Sequence, residues 1–493
     1  MRTGPPTVVL ATTNGKGMGH LSRQLALALA SLGGMDPVIF SMSAAIPVVG
    51  RYDMRAEYVP GVLKDQVPRR HWDAYLADRI VALVQEVGAS AFVFDGVYPY
   101  DGVLRALRRM PDVPFIWSRR AMWQKGVGAR ALRYRRLFAA VLEPGDLASA
   151  GDVGRTASLE DARRLMPVTL IGHVPQLDRD KARAELDLDP DKRTVLVSLG
   201  SNRRTDLYAA YQRTVERFTE AGWQVVVTSS PLRKQGTTAQ DGPKVISVFP
   251  LVRYLNAFDA AVSASGYNAV HELLYSALPT LLVPNSDAVT DDQPTRARVV
   301  AGTGLALAAD PDRPKEFDAA LERLLDERVR HRLIAACREL PPTTGATEAA
   351  RAVIGFAAGG RPPAGERMDA AALHAQRFAR RQVGRVLPRP IAGLLGRPPR
   401  LSDLRGGPLS LDVRLAPDEG QPPPTADKSE LLVTDGLTPG LFDKRWVEHL
   451  IPGASDEYIA ARAEIAERYY RLNARHFTGT EAEHWAELGW SPR

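Results

Sequence analysis

Ser265-Gly266-Tyr267-Asn268-Ala269-Val270-His271-Glu272-Leu273 lies between two apolar runs, at 258–263 and 279–284. The pattern predicts a strand, a glycine turn, a short helix and a second strand. Amides that open a helix have no intrahelical acceptor and sit at the positive end of its dipole, so a phosphate is their natural guest. Glu272 follows Gly266 by six residues, which is roughly 9 Å along a helix rising ~1.5 Å per residue. That spacing is too long for a capping box, which needs its acid three residues after the cap. It suits a carboxylate accepting hydrogen bonds from a ribose whose diphosphate rests on the turn. The stretch reads as a cradle for a nucleoside diphosphate.

Strand and helix patterns alternate on both sides of this cradle. Residues 7–12 form a continuous apolar run, as in a strand covered on both faces, and a helix pattern follows at 21–30. Further strands are predicted at 37–40, 91–95 and 114–118, and Tyr75, Leu76, Ile80, Leu83, Val84 and Val87 stand at helical spacing. The run at 169–172 closes this half. A charged stretch at 178–193 reads as a hinge linker. A second series has strands at 194–201, 224–228, 244–248, 260–263, 280–283 and 305–308, then helices at 314–340 and 346–357. The expected class is α/β: two Rossmann-like, doubly wound parallel sheets facing a cleft, in units 1–172 and 173–358. Residues 359–493 form a C-terminal extension to which the sequence assigns no role. Its proline-rich stretches read as linkers around an Arg-rich helix pattern at 368–387.

The 493 residues are 45% hydrophobic and 25% charged, the composition of a globular protein of two or three domains. A single cysteine, Cys337, excludes a disulfide framework and fits a reducing, cytoplasmic setting. Nowhere do ~18 apolar residues run together, so no membrane span is expected. The net charge of +7 does not demand nucleic acid, and none is expected as a partner. Arginines at 368–400 and in the first unit (Arg105, Arg108, Arg109, Arg119, Arg120, Arg130, Arg133, Arg135 and Arg136) make a basic face. Such a face is solvated by default, and would also suit peripheral contact with anionic lipid.

The first strand leads into Thr13-Asn14-Gly15-Lys16-Gly17-Met18-Gly19-His20-Leu21-Ser22-Arg23. Alternate glycines allow a ligand close to the backbone, although the spacing is not that of a dinucleotide fold. His20 falls in the first helical turn at a strand's carboxyl end, where a neutral imidazole could act as a general base. The bland reading is a histidine bonded to its own loop. Asp95, ending the strand 91–95, could orient His20 or bind an acceptor hydroxyl; it could equally cap the next helix. Asp292 and Gln293 carry the same ambiguity, because Asp291 or Asp292 suits a helix cap. His271 and His173 read as structural. Asp187-Leu188-Asp189 matches a metal-binding D-x-D, but beside Pro190 it reads as a turn, and no metal or other cofactor is expected.

The two glycine loops together resemble the GT-B glycosyltransferases, and in particular the branch containing the N-acetylglucosamine transferase of lipid II synthesis. The likeness rests on Gly15, Gly17, Gly19 and His20, then on Ser265-Gly266 with Glu272, Leu278-Pro279 and Asp292-Gln293, and covers about 7–355. It implies a metal-independent, inverting transfer from a nucleoside diphosphate sugar, with UDP as default. By position, Ser265 and Gly266 would hold the diphosphate, lined by Gly200 and Ser201, and Tyr267 and Asn268 would belong to the same substrate-binding turn. Glu272 would take the ribose, Phe249 and its neighbours would flank the base, and Asp292 and Gln293 would read the sugar. His20 would deprotonate the acceptor, or assist the leaving phosphate if it lies nearer the donor; the sequence leaves the acceptor open between a lipid-linked molecule and a small one. Two features depart from a simple match. The hinge Gly172-His173-Val174-Pro175-Gln176 lacks the G-N-P-like turn and following arginine of those relatives. Gly19-His20-Leu21-Ser22-Arg23 also looks like the loop of nucleotide-sugar hydrolases of the same fold. A hydrolase, an epimerase or a non-catalytic nucleotide-sugar-binding protein is therefore the alternative.

Overall fold

The structure, a computed structural model, describes residues 4–13, 18–43, 45–59, 61, 68–199, 205–229, 242–285, 290–359 and 453–473. Gly15, Gly17, Gly200, Ser201 and the pattern at 368–387 lie outside them.

The first sheet has strands β1 (Thr7–Thr12), β2 (Asp36–Ser41), β3 (Arg55–Tyr58), β4 (Ala91–Asp95), β5 (Phe115–Ser118), β6 (Ala140–Glu143) and β7 (Ala162–Arg164). Their order is β3-β2-β1-β4-β5-β6-β7, parallel throughout. The second sheet has β8 (Thr194–Ser198), β9 (Gln224–Thr228), β10 (Lys244–Ile246), β11 (Ala260–Ala264), β12 (Thr280–Val283) and β13 (Leu307–Ala308), in the order β10-β9-β8-β11-β12-β13. Every residue of β1 is buried, as its unbroken apolar run predicts for a strand covered on both faces. In each sheet the order reverses beside the first strand, between β1 and β4 and between β8 and β11. Loops leaving the carboxyl ends there diverge and open a crevice. The loop to α1 (Gly19–Ala30) leaves β1, and the turn to α6 (Tyr267–Tyr275) leaves β11.

Several expectations are corrected by the packing. The helix expected over 314–340 is two, α8 (Pro314–Leu325) and α9 (Glu327–Arg338), because Asp326 turns extended and its carboxylate accepts the Arg328 amide. The stretch 178–193 is no bare linker. It holds α4 (Arg179–Glu185), whose buried Arg183 donates to the carbonyls of Ala257, Asp189, Pro190 and Lys192. At the end of the second unit, α10 (Gly345–Gly359) packs against the first. Ala346, Ala349, Ala350 and Val353 join the apolar cluster of β1 and α1, and Glu348 accepts the Met166 amide at 3.1 Å.

Within the extension, the helix at Asp456–Asn473 (α11) lies against α2 (Arg69–Glu86). Ser455 donates its amide and hydroxyl to the Glu86 carboxylate, both at 2.7 Å. Tyr458 donates to the buried Glu57, which also meets Arg79 at 2.5 Å and Arg462 at 3.4 Å. Burial alone would raise the Glu57 carboxyl, but Arg462 and Arg79 hold it below its ordinary value.

Candidate active site

His20 and Asp95 meet at the switch point of the first sheet. His20 stands in the first turn of α1 and Asp95 ends β4, so the strand pairing brings two residues 75 apart in sequence together. The His20 Nδ1 lies 2.5 Å from Asp95 Oδ1. Arg23, one turn along α1, clamps the same carboxylate through Nε to Oδ2 at 3.0 Å and Nη2 to Oδ1 at 2.7 Å. Gly96 follows because space is short: a Cβ there would stand 2.4 Å from the Thr13 methyl.

The charges set the tautomer. Burial disfavours the Asp95 anion, yet Arg23 and then His20 hold its carboxyl far below the usual range. Nδ1 stands between Asp95 Oδ1 at 2.5 Å and Arg23 Nη2 at 2.8 Å, and we assign its proton toward the closer carboxylate, which leaves Nε2 as an acceptor. Burial lowers the imidazole pKa, Asp95 opposes that, and Arg23 adds to it; the net direction is down. His20 keeps 18% of its side chain exposed. The imidazole is thus fixed from behind, with burial favouring its neutral form.

The second unit closes on this group. Asn268, in the first turn of α6, donates Nδ2 to the Gly19 carbonyl at 3.2 Å and faces Arg23 Nη1 at 3.4 Å. Gly266 is the extended N-cap of α6, with open space where a Cβ would stand and no side chain capping the helix. Glu272 is half-buried, and burial pushes its carboxyl up to about 7 against the Leu170 amide.

Other expected contacts are turned inward. The buried Ser265 hydroxyl donates to the Gln293 carbonyl, and its own carbonyl takes Arg296 Nη1 at 3.0 Å, so neither group faces a phosphate. The Tyr267 hydroxyl is buried against the first unit, donating to Gly145 O at 2.9 Å and accepting the Val168 amide at 3.0 Å. Its ring lies under Arg23. Asp292 caps α7 (Gln293–Gly302) by accepting the Thr295 amide. Gln293 accepts the Asn285 amide and donates to Asp291. The Phe249 side chain is buried, and its carbonyl takes Arg51. His271 is structural: fully buried, it accepts the Leu147 amide at 3.1 Å. Asp189 accepts the Asp191 amide, closing a turn.

The reading of the sequence missed the joint between the units. Arg296 of α7 is fully buried, 2.8 Å from both Asp146 of the first unit and Asp291 of the second. Arg120 reaches the same Asp291 at 3.0 Å. Locally these residues resemble surface charges, and only a spacing shared across two units marks them. Among the described residues, no group of three or more His, Cys, Asp or Glu side chains is placed to hold a metal ion.

The comparisons agree with this architecture. The chain superposes on the spinosyn forosaminyltransferase SpnP with a TM-score of 0.52 at 15% identity, over 72% of this chain and 100% of that one. The fold is that of the GT-B glycosyltransferases. In sequence it is 26% identical over 199 residues to the UDP-N-acetylglucosamine–N-acetylmuramyl-(pentapeptide) pyrophosphoryl-undecaprenol N-acetylglucosamine transferase of Leuconostoc citreum, covering 36% of this chain and 54% of that protein. To the protein of the same name from Leifsonia xyli it is 30% identical over 206 residues, covering 39% and 54%. The chain thus spans about half the length of these curated relatives. No family model matches it. Among the described residues no helix is long and apolar enough to cross a membrane.

Proposed function

We propose that this protein transfers a sugar from a nucleoside diphosphate sugar to an acceptor hydroxyl, with His20 as base. The observation that carries the reading is the contact of Asn268 with Gly19, which sets the uncapped opening of α6 against the loop bearing His20. A diphosphate on the α6 amides would place its sugar in reach of the imidazole. The acceptor oxygen loses its proton to Nε2 and attacks the anomeric carbon, while the bond to the diphosphate breaks on the opposite face, inverting the centre. The growing phosphate charge is met by helix amides, which supply electrostatic stabilisation without a metal. Glu272 would accept the ribose hydroxyls. Outside the described residues, Gly200 and Ser201 would line the donor diphosphate and Gly15 and Gly17 would also bind substrate. Asp292 and Gln293 would read the sugar through the groups their own turn leaves over.

The names of the sequence relatives put UDP-N-acetylglucosamine first in a donor panel and a lipid-linked diphosphate first among acceptors. The test is thermal stabilisation by UDP-, TDP- and GDP-sugars, followed by product analysis with and without acceptor and with EDTA. A ligand at 100 times its dissociation constant adds about 2.7 kcal/mol. Stabilisation by a nucleotide sugar that Glu272→Ala abolishes supports the reading. Absence of any shift across the panel overturns it, and rapid sugar release with water alone replaces it with hydrolysis.

A further inference from the structure

The seam between the units passes beside the base. After β5, the backbone at 122–124 pairs with 290–292 of the other unit. Asp292 donates its amide to Met122 O and Gln124 donates to Thr290 O, each at 2.9 Å, with an antiparallel bridge at Trp123 and Asp291. Arg120 precedes this pairing and crosses the seam, its Nη1 3.0 Å from Asp291 Oδ1. The ion pair is part of the joint's charge balance. Arg296 alone faces two carboxylates, Asp146 and Asp291, and Arg120 brings the second cation. Asp291 is accordingly held far below the usual carboxyl range: burial opposes this, and Arg120 then Arg296 overcome it. The Arg120 Nε is buried with no hydrogen-bond partner among the described residues, so the guanidinium is not fully spent on the seam.

Arg120 also follows by two residues the end of β5, where the Ser118 hydroxyl donates to Asp95 Oδ2 at 3.3 Å, so it leaves the sheet beside the His20 cluster, and its charge adds to those that disfavour protonation of the imidazole. The charged groups acting on that imidazole are Asp95 from β4, Arg23 from α1 and Arg120 from the loop after β5. Two of the three belong to the fixed base cluster. Arg120 is the one that also touches the donor-side unit.

We infer that Arg120 is a positioning residue that couples the turn at 290–293 to His20: seated on Asp291, it holds the seam closed and keeps a positive charge beside the imidazole. Parting the units removes its seat and frees that charge to move. The base is then tuned only while the turn that would read the donor sugar is docked. The inference deepens the transferase reading and depends on it for what the base is used for. The coupling itself does not depend on it.

The test uses the full chain with Arg120→Ala, Arg120→Gln and Arg120→Lys, each first checked for a cooperative thermal transition. Two readouts need no activity: hydrogen exchange of the Gln124 and Asp292 amides, and NMR titration of the His20 imidazole, identified by its loss in His20→Gln. Arg120→Ala and Arg120→Gln are expected to speed exchange of both amides tenfold or more and to raise the His20 midpoint, while Arg120→Lys returns the midpoint toward wild type. Where transfer is measured, the acid limb of kcat/KM moves to higher pH with the midpoint. A folded Ala or Gln variant with unchanged exchange at either amide, or with an unmoved His20 midpoint, overturns the inference. A protein that shows both effects and transfers no sugar keeps the coupling and loses the transferase reading.

Discussion

Asp95 answers to two partners that pull on His20 in opposite ways. Its carboxylate favours the imidazolium, while the Arg23 it neutralises disfavours it. With burial added, the ring stays neutral, so the acid limb of kcat/KM is expected below the ordinary histidine value of 6.5. His20→Ala should cost ~10²–10⁴ in kcat at neutral pH. Asp95→Asn should cost a comparable factor, because the tautomer is no longer fixed. It also leaves Arg23 buried without its counterion, a loss of about 3–5 kcal/mol in urea unfolding. The folded Asp95 carboxyl lies below its unfolded value, so its stabilisation is complete at neutral pH and fades only as pH falls through that depressed value. Variant and wild type should therefore converge in strong acid. Glu272 has the reverse sign. Its folded pKa of about 7 exceeds the ordinary 4.5, so the folded state holds a proton the unfolded state releases, and stability falls as pH rises between the two. Glu272→Gln should thus raise the Tm at pH 8, leave it unchanged at pH 4, and weaken binding of a nucleoside diphosphate at both. A Tm at pH 8 equal to wild type would show that the carboxyl is not strained by burial.

At the scale of elements, what was legible in the chain is what a single element decides. The strand at 91–95 and the helix start after Gly266 coincide with β4 and α6, because an apolar run and a glycine turn act locally. His20, in the helix turn that follows β1, and Asp95, at the end of β4, are both legible at the carboxyl edge of one sheet, and the pairing of β1 with β4 brings that turn and that strand end together. The inward turn of the Ser265 and Tyr267 hydroxyls is not legible locally, because Gln293, Gly145 and Val168, which consume them, approach only when another element packs there. The helix at 456–473 shows the same limit. Nothing local in Ser455 or Tyr458 marks Glu86 and Glu57 as the points on which it docks. Tyr458→Phe removes a hydrogen bond to an ionised, buried carboxylate and should cost about 1.5–3 kcal/mol in urea unfolding, with the nucleotide shift unaffected. Truncation before residue 453 should lower the Tm further, since Tyr458, Ile465 and Ala466 leave the core with it. A truncated chain of unchanged Tm would mean α11 adds nothing to the first unit.

For the whole molecule, the question is whether two sheets behave as one body. The first unit carries not only its own helices but also α10 and α11, so the chain's later part reinforces the side that bears His20. The second unit is tied back through Arg296, whose guanidinium joins Asp146 across the seam to Asp291 and the Ser265 carbonyl on its own side. Burial makes that arginine costly to charge, and Asp291 and Asp146 more than compensate, holding its pKa above the ordinary value. Arg296→Met keeps the apolar volume but leaves the buried Asp146 without its arginine and Asp291 with Arg120 alone, a penalty of about 3–5 kcal/mol concentrated at the joint. Calorimetry of the wild type should show one cooperative transition. In Arg296→Met it should split, with the upper or lower step shifting alone on addition of a nucleoside diphosphate, because under the proposed function the ligand's phosphates would engage the unit carrying α6 and binding stabilises only what it touches. The residual step should respond instead to Tyr458→Phe, whose hydroxyl serves the first unit. If Arg296→Met still melts in a single transition that follows both perturbations, the units are held together by their apolar contacts, and the ion network at Asp146 and Asp291 is dispensable to their cohesion.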